Sequence, residues 1–208
     1  MCGIFGGTNL SNQTKDSIIS LMHHRGPDGS GSYFDKNHQV FLAHTRLSII
    51  DISANGSQPM TDKTGNFIIT FNGEIYNFKE LKKELECIGY QFISNSDTEV
   101  VLYSFIEWQE NSLNKLRGMF SFCIYSKENG EFFLARDRFG IKPLIYYYAD
   151  NNFYFSSELK VFLENNSFRK KINMNAVHDF FLYGSVRQPN TIIENYYQLK
   201  PGHFITYK

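Results

Sequence analysis

Apolar residues recur along the chain in short runs rich in Phe, Ile and Tyr, separated by polar or helix-like stretches. Their length and their aromatic and β-branched content predict strands at 3–6 (GIFG), 39–43 (QVFLA), 67–71 (FIITF), 119–126 (MFSFCIYS), 131–136 (EFFLAR), 144–149 and 153–157. A longer period interrupts them. In FKELKKELECIG, Leu81, Leu85 and Ile88 fall at i, i+4 and i+7 with lysines and glutamates opposite, which predicts an amphipathic helix. Val101, Phe105 and Trp108 repeat that spacing in DTEVVLYSFIEW, where Ser96 or Asp97 supplies an N-cap. Weaker helical patterns cover about 14–23, 157–164 and 174–182. Strands fall before, between and after the helices, often as hairpin-like pairs. This order predicts an α+β domain with two layers of mainly antiparallel sheet and helices outside. No repeat, low-complexity tract or linker divides the 208 residues, so one domain is expected.

Composition narrows the function classes. A hydrophobic content of 42% and an aromatic content of 16% are ample for a packed core. Lysine plus arginine and aspartate plus glutamate balance at 21 each, which removes the electrostatic case for nucleic acid or an anionic membrane surface. No apolar run approaches the ~20 residues of a membrane span, and no basic-then-apolar leader opens the chain. Cys2, Cys87 and Cys123 are odd in number and far apart, and none has metal-ligand spacing with a cysteine or histidine. No metal is expected, and a reducing cytoplasm is the natural compartment. Cys87 in a helical pattern and Cys123 in an apolar run read as small, partly buried residues.

Cys2 stands apart, because the chain begins MCGIFGG. With Met1 removed, Cys2 would carry both a thiol and an α-amine, with unperturbed pKa values of about 8.5 and about 7.7–8.0. The amine is then partly neutral near pH 7 and can take the thiol proton, directly or through a water. Nucleophile and base would sit on one residue. None of the six histidines forms a motif with a cysteine; His23 and His24 lie by a turn, His44 and His178 in apolar surroundings, and structural or solvated roles are expected for all.

Four further segments each carry a structural and a chemical reading. HRGPDGSG (24–31) is either a plain turn, with Arg25 a structural cation, or an ordered loop. In AHTRLSIID (43–51), Arg46 is either a surface ion-pair partner or a planar fork for a substrate carboxylate. In FNGEIYN (71–77), Asn-Gly is either a tight hairpin turn or an amide beside a backbone N–H, two donors aimed at one oxyanion. In SNSDTEV (94–100), Asp97 is either an N-cap or an anion for a substrate ammonium. Taken together, the chemical readings describe acyl transfer on an α-amino acid bearing a side-chain amide, with glutamine the obvious candidate.

MCGIFGG, HRGPDGSG, AHTRLSIID, SQPM, FNGEIYNFKEL, SDTEV, LRGMFSF, ARDRFGIKPL, FSSELK and PGHFI run in this order over the whole chain. The set resembles the N-terminal glutaminase domain of asparagine synthetase B-type enzymes, class II glutamine amidotransferases with an N-terminal nucleophile. RLSIID and NGEIYN are similar to the asparagine synthetase branch. The resemblance implies a four-layer α-β-β-α fold of mainly antiparallel sheets across residues 1–208. It implies Cys2 as nucleophile, Asn72 and Gly73 as oxyanion hole, and Arg46 on the glutamine α-carboxylate. Leu47, Ser48, Ile49 and Ile50 become the pocket wall, and Glu74 and Asp97 the groups around the α-amine. RDRFGIKPL is assigned no catalytic role.

The phosphate loop of an ATP-pyrophosphatase synthetase domain is not among these residues, so no cofactor is expected for this domain. ATP and Mg²⁺ are expected only for a synthetase domain, C-terminal or separate, that receives the ammonia. No nucleic-acid or membrane partner is expected, and a homodimer stays open, as does the acceptor. Two other functions compete: a catalytically silent docking or regulatory domain of a synthetase, and a Cys-dependent amidase with a different substrate. A small residue at position 2 permits removal of Met1, so the mature protein is expected to begin at Cys2.

Overall fold

The computed structural model describes residues 1–208, apart from the side chains of Asn12 and Gln13. The elements in chain order are β1 (Gly3–Thr8), α1 (Asn12–Met22), β2 (Gly29–Asp35), β3 (Val40–Arg46), β4 (Met60–Thr61), β5 (Phe67–Ile75), α2 (Phe78–Cys87), α3 (Asp97–Trp108) and α4 (Ser112–Lys115). They continue with β6 (Gly118–Ser126), β7 (Glu131–Arg136), β8 (Ile145–Ala149), β9 (Asn152–Ser156), α5 (Lys160–Leu163), α6 (Met174–Tyr183), β10 (Tyr196–Gln198) and β11 (Phe204–Tyr207). A six-stranded sheet runs β10-β8-β9-β1-β3-β2 and a five-stranded sheet β11-β7-β6-β5-β4, with every pairing antiparallel.

Strand alternation sorts the apolar residues into three cores, and three cores separate four layers. Ile4, Leu42, Ile68, Cys123, Tyr125, Leu134 and Phe155 pack between the sheets. Their neighbours Phe5, Phe41, Ala43 and Tyr147 face outward onto Ile18 and Met22 of α1 and Val161 and Phe162 of α5. On the other outer face, Ile69, Phe71, Phe122 and Phe133 pack against Leu81 and Leu85 of α2 and Val101 and Phe105 of α3. The expected α-β-β-α sandwich is the observed architecture. Among the described residues, no helix is long and apolar enough to cross a membrane.

Local differences from the sequence pattern have physical causes. Gly29–Asp35, partly assigned to a loop, forms β2 and pairs with β3 from Gly29↔Arg46 to Asp35↔Val40. Its GSGSYFD sequence hides the strand because an edge strand exposed on alternate residues needs few apolar side chains. The helix expected over 157–164 contracts to Lys160–Leu163. Most consequential, β5 continues to Ile75, so Asn72 and Gly73 lie inside a strand and make no hairpin turn.

Candidate active site

Cys2 precedes β1 directly, and the β1–β3 register (Gly3↔Thr45) sets it beside the end of β3. There the Leu47 N–H donates to Cys2 Sγ at 3.4 Å. The Cys2 carbonyl accepts from Arg25 Nε at 2.9 Å, and Arg25 Nη1 pairs with Glu158 at 2.7 Å. Ser157 clamps the next step of the strand: Ile4 N–H donates to its Oγ at 3.0 Å, and its own N–H donates to the Ile4 carbonyl at 2.9 Å. Arg25 is therefore the structural cation that the sequence suggests, and what it fixes is the backbone of the terminus. Burial pushes the Cys2 thiol up from its ordinary range, against the pull of the Leu47 N–H and of positive charge on the terminal amine, Lys142 and Arg25.

Cys2 opens into a cavity lined also by Arg46, Leu47, Ile49, Ile50, Asn72, Gly73, Glu74 and Asp97. These come from the ends of β3 and β5, the start of α3 and the loop after β3. Ser48 is the one candidate outside the lining; its N–H is turned to the Asp28 carboxylate at 2.8 Å. Asp51, Gln58, Thr98, Met119 and Lys142 also line the cavity without having been given a role from the sequence, as does Ser96, read there only as a cap.

The edge of β5 is built to present donors. Phe71 N–H is taken by Gln58 Oε1 at 2.6 Å and Ile75 N–H by Asp97 Oδ2 at 2.9 Å. Strand alternation points the Gly73 N–H, midway between them, to the same side. The opposite residue Phe120 confirms this geometry, because its N–H and carbonyl both bond to Asp137 at 3.2 and 2.8 Å and not to Gly73. No side-chain acceptor meets the Gly73 N–H among the described residues. The Asn72 side chain adds a second donor: its Nδ2 is buried and has no hydrogen-bond partner. Glycine is required at 73 because a Cβ there would lie 2.5 Å from the Met119 carbonyl and 2.8 Å from Phe120 Cα.

Arg46 Nη1 donates to the Ser53 carbonyl at 2.9 Å and Nη2 to the Asp51 carbonyl, which folds the loop after β3 around the guanidinium. Asp51 in turn ties that loop to the start of α3, accepting from the Ser53 N–H and from Asn95 N–H, each at 2.9 Å. Ser96, not Asp97, caps α3, its Oγ accepting from Thr98 N–H at 3.1 Å. The Asp97 carboxylate lines the cavity while its Oδ2 holds the Ile75 N–H. Among the described residues, no three His, Cys, Asp or Glu side chains group as a metal site.

Burial, with Glu74 as a nearby like charge, raises the Asp97 carboxyl to about 6. Folding therefore binds a proton at Asp97, and stability falls as pH rises from about 4 through 6. His44 acts in the opposite sense. Burial lowers it to about 4, against its bond to the Phe71 carbonyl, so stability falls as pH drops from 6.5 toward 4. The two slopes offset one another in the unliganded protein. Asp97→Asn should raise the melting temperature at pH 7 by several degrees, since about two pKa units are worth on the order of 3 kcal/mol. It should also uncover a loss of stability below pH 6.5; thermal melts between pH 4 and 8 check both.

A family model described as a glutamine amidotransferase domain matches residues 1–208. The chain is 37% identical over 216 residues to asparagine synthetase [glutamine-hydrolyzing] 3 of Bacillus subtilis, covering all of this chain and 35% of the relative. It is 34% identical over 196 residues to amidase chry2 of Gibberella zeae, covering 91% of this chain and 28% of the relative. It thus spans about a third of the length of these curated relatives. Among solved structures, glutamine phosphoribosylpyrophosphate amidotransferase of B. subtilis superposes with a TM-score of 0.70 at 20% identity, covering 99% of this chain and 47% of that one, which shows a shared fold. The chain belongs to the glutamine amidotransferase domain family, and its curated relatives include glutamine-hydrolysing asparagine synthetases.

Proposed function

We propose that this domain hydrolyses L-glutamine to glutamate and ammonia through a thioester on Cys2. One observation carries it. The buried Asn72 amide nitrogen has no partner, and Asn72 and Gly73 line the cavity that Cys2 also lines. A resting protein leaves a buried donor unpaired at a cost, which is recovered when an acceptor arrives.

Once Met1 is removed, the Cys2 amine takes the thiol proton and Sγ attacks the amide carbon of glutamine. Asn72 and Gly73 hold the oxyanion. The α-ammonium gives its proton to the amide nitrogen, the C–N bond breaks and ammonia leaves. The amine then accepts a proton from water as the water attacks the thioester, the C–S bond breaks, the ammonium returns the proton to the leaving sulfur, and glutamate and the thiol result. Arg46 binds the α-carboxylate, Asp97 and Glu74 the α-ammonium, and Leu47, Ile49 and Ile50 flank the side chain. The ammonia passes to a synthetase partner of the asparagine synthetase type, where ATP and Mg²⁺ would act; the glutaminase domain itself needs neither. The cytoplasm is the compartment in which we place it.

Arg46→Ala should raise KM for glutamine at least tenfold with a smaller change in kcat, because the lost contact is made equally in ground and transition states. An unchanged KM would remove Arg46 from substrate binding. The relative named an amidase favours a second reading, hydrolysis of another amide. A panel of L-glutamine, D-glutamine and amides lacking the amino-acid group separates the two. Comparable rates on the last would overturn the glutamine assignment.

A further inference from the structure

The loop after β7 inverts the usual order of a surface turn. Phe139 and Ile141 are 83% and 55% exposed, while Lys142 is only 6% exposed. Lysine is almost never buried without a partner. The loop is built to hold it there. Asp137, fully buried, accepts at Oδ1 from the Phe139 and Ile141 N–H groups at 3.0 and 2.9 Å, and at Oδ2 from the Lys142 N–H at 3.0 Å. Arg136 grips the other side, donating to the Lys142 carbonyl at 2.7 Å and the Gly140 carbonyl at 2.8 Å. Gly140 supplies the left-handed turn with φ +64°. The backbone on both sides of Lys142 is thus pinned, and the side chain lines the Cys2 cavity.

The charges around Cys2 are not equivalent. Arg25 is neutralised by Glu158. Arg46, whose guanidinium donates to the Asp51 and Ser53 carbonyls, is not among the cations acting on the thiol. Glu74 and Asp97 line the same cavity but form no ion pair with Lys142 among the described residues. Besides the terminal amine, Lys142 is the cation acting on the thiol that lacks a counter-ion.

We propose that Lys142 is a positioning residue of the reaction, whose ammonium at the cavity wall stabilises negative charge on Cys2 Sγ as it attacks and again as the thioester is cleaved. The proposal rests on the reading of Cys2 as nucleophile. In this role Lys142 is matched to a thiol that burial alone would leave protonated.

The test is the pH dependence of Cys2 alkylation by iodoacetamide in the Met1-processed protein, with peptide masses separating Cys2 from Cys87 and Cys123. Lys142→Met should move the midpoint up by about half to one pH unit and slow alkylation at pH 7 about three- to tenfold. Lys142→Arg should restore most of the rate. An unchanged midpoint in folded Lys142→Met, or a Lys142→Arg variant as slow as Lys142→Met, would overturn the proposal. If Lys142→Met fails to fold, Lys142→Gln carries the same readout with the same two outcomes. Alkylation needs no glutamine, so the two proposals fail separately. A shifted midpoint without glutamine turnover sinks the glutaminase reading and upholds Lys142; turnover with an unshifted midpoint does the reverse.

Discussion

Cys2→Ala should give a folded protein that releases no glutamate from L-glutamine. Removing the nucleophile of a hydrolase costs on the order of 10⁶ in kcat, which takes turnover to the assay background. The fold should survive, because the Sγ of Cys2 is held by weak sulfur contacts to Leu47 alone. The bonds that anchor the terminus, from Arg25 and Ser157, are made to backbone atoms that alanine keeps. The melting temperature should therefore stay within a degree or two. Neither of the other thiols can take over: Cys87 is exposed on α2, and Cys123 is buried in the core between the sheets. Glutamate release by a folded Cys2→Ala protein would place the nucleophile elsewhere.

Asn72→Ala should lower kcat by about 10²–10³ while leaving KM nearly unchanged, since the amide is proposed to engage an oxyanion present only after attack. The second half of this prediction separates a catalytic amide from a structural one. Asn72 Nδ2 makes no hydrogen bond in the resting protein. Its removal deletes a buried unpaired donor, whose burial costs about 1–3 kcal/mol. Stability should hold or rise, where loss of a structural amide would lower it. Kinetics at saturating and subsaturating glutamine, together with a thermal melt, check both halves.

The cores were legible in the sequence because strand and helix periods put apolar residues on defined faces. Ile69 and Phe71, or Leu81 and Leu85, announce their layer by spacing alone. β2 was not legible past its glycines and serines, since backbone pairing at a sheet edge leaves little mark on side-chain type. Asn72–Gly73 shows the limit most sharply. As a dipeptide it signals a turn, yet nine consecutive ladder pairs with β6 hold it in a strand, and the glycine answers to the approach of Met119 and Phe120. Asp97 could be a cap or a ligand from sequence; Ser96 takes the cap, and the Asp97 carboxylate bonds the Ile75 N–H at the cavity wall. Gln58 and Lys142 lie in the motifs SQPM and ARDRFGIKPL, but neither segment showed a role for them. Gln58 acts through side-chain bonds to the Phe71 N–H and the Thr98 hydroxyl, far from it in sequence, and Lys142 reads as a loop lysine until the loop is folded around it.

The central claim is that the terminus supplies both nucleophile and base. The most direct test is glutamate release from L-glutamine by two preparations of this protein, one whose intact mass shows Met1 removed and one that retains it. The processed protein should turn over glutamine, and the Met1-bearing protein, whose Cys2 nitrogen is an amide, should not. Equal turnover by both would contradict the terminal amine as base, and inactivity of the processed protein would contradict the domain as a self-sufficient glutaminase.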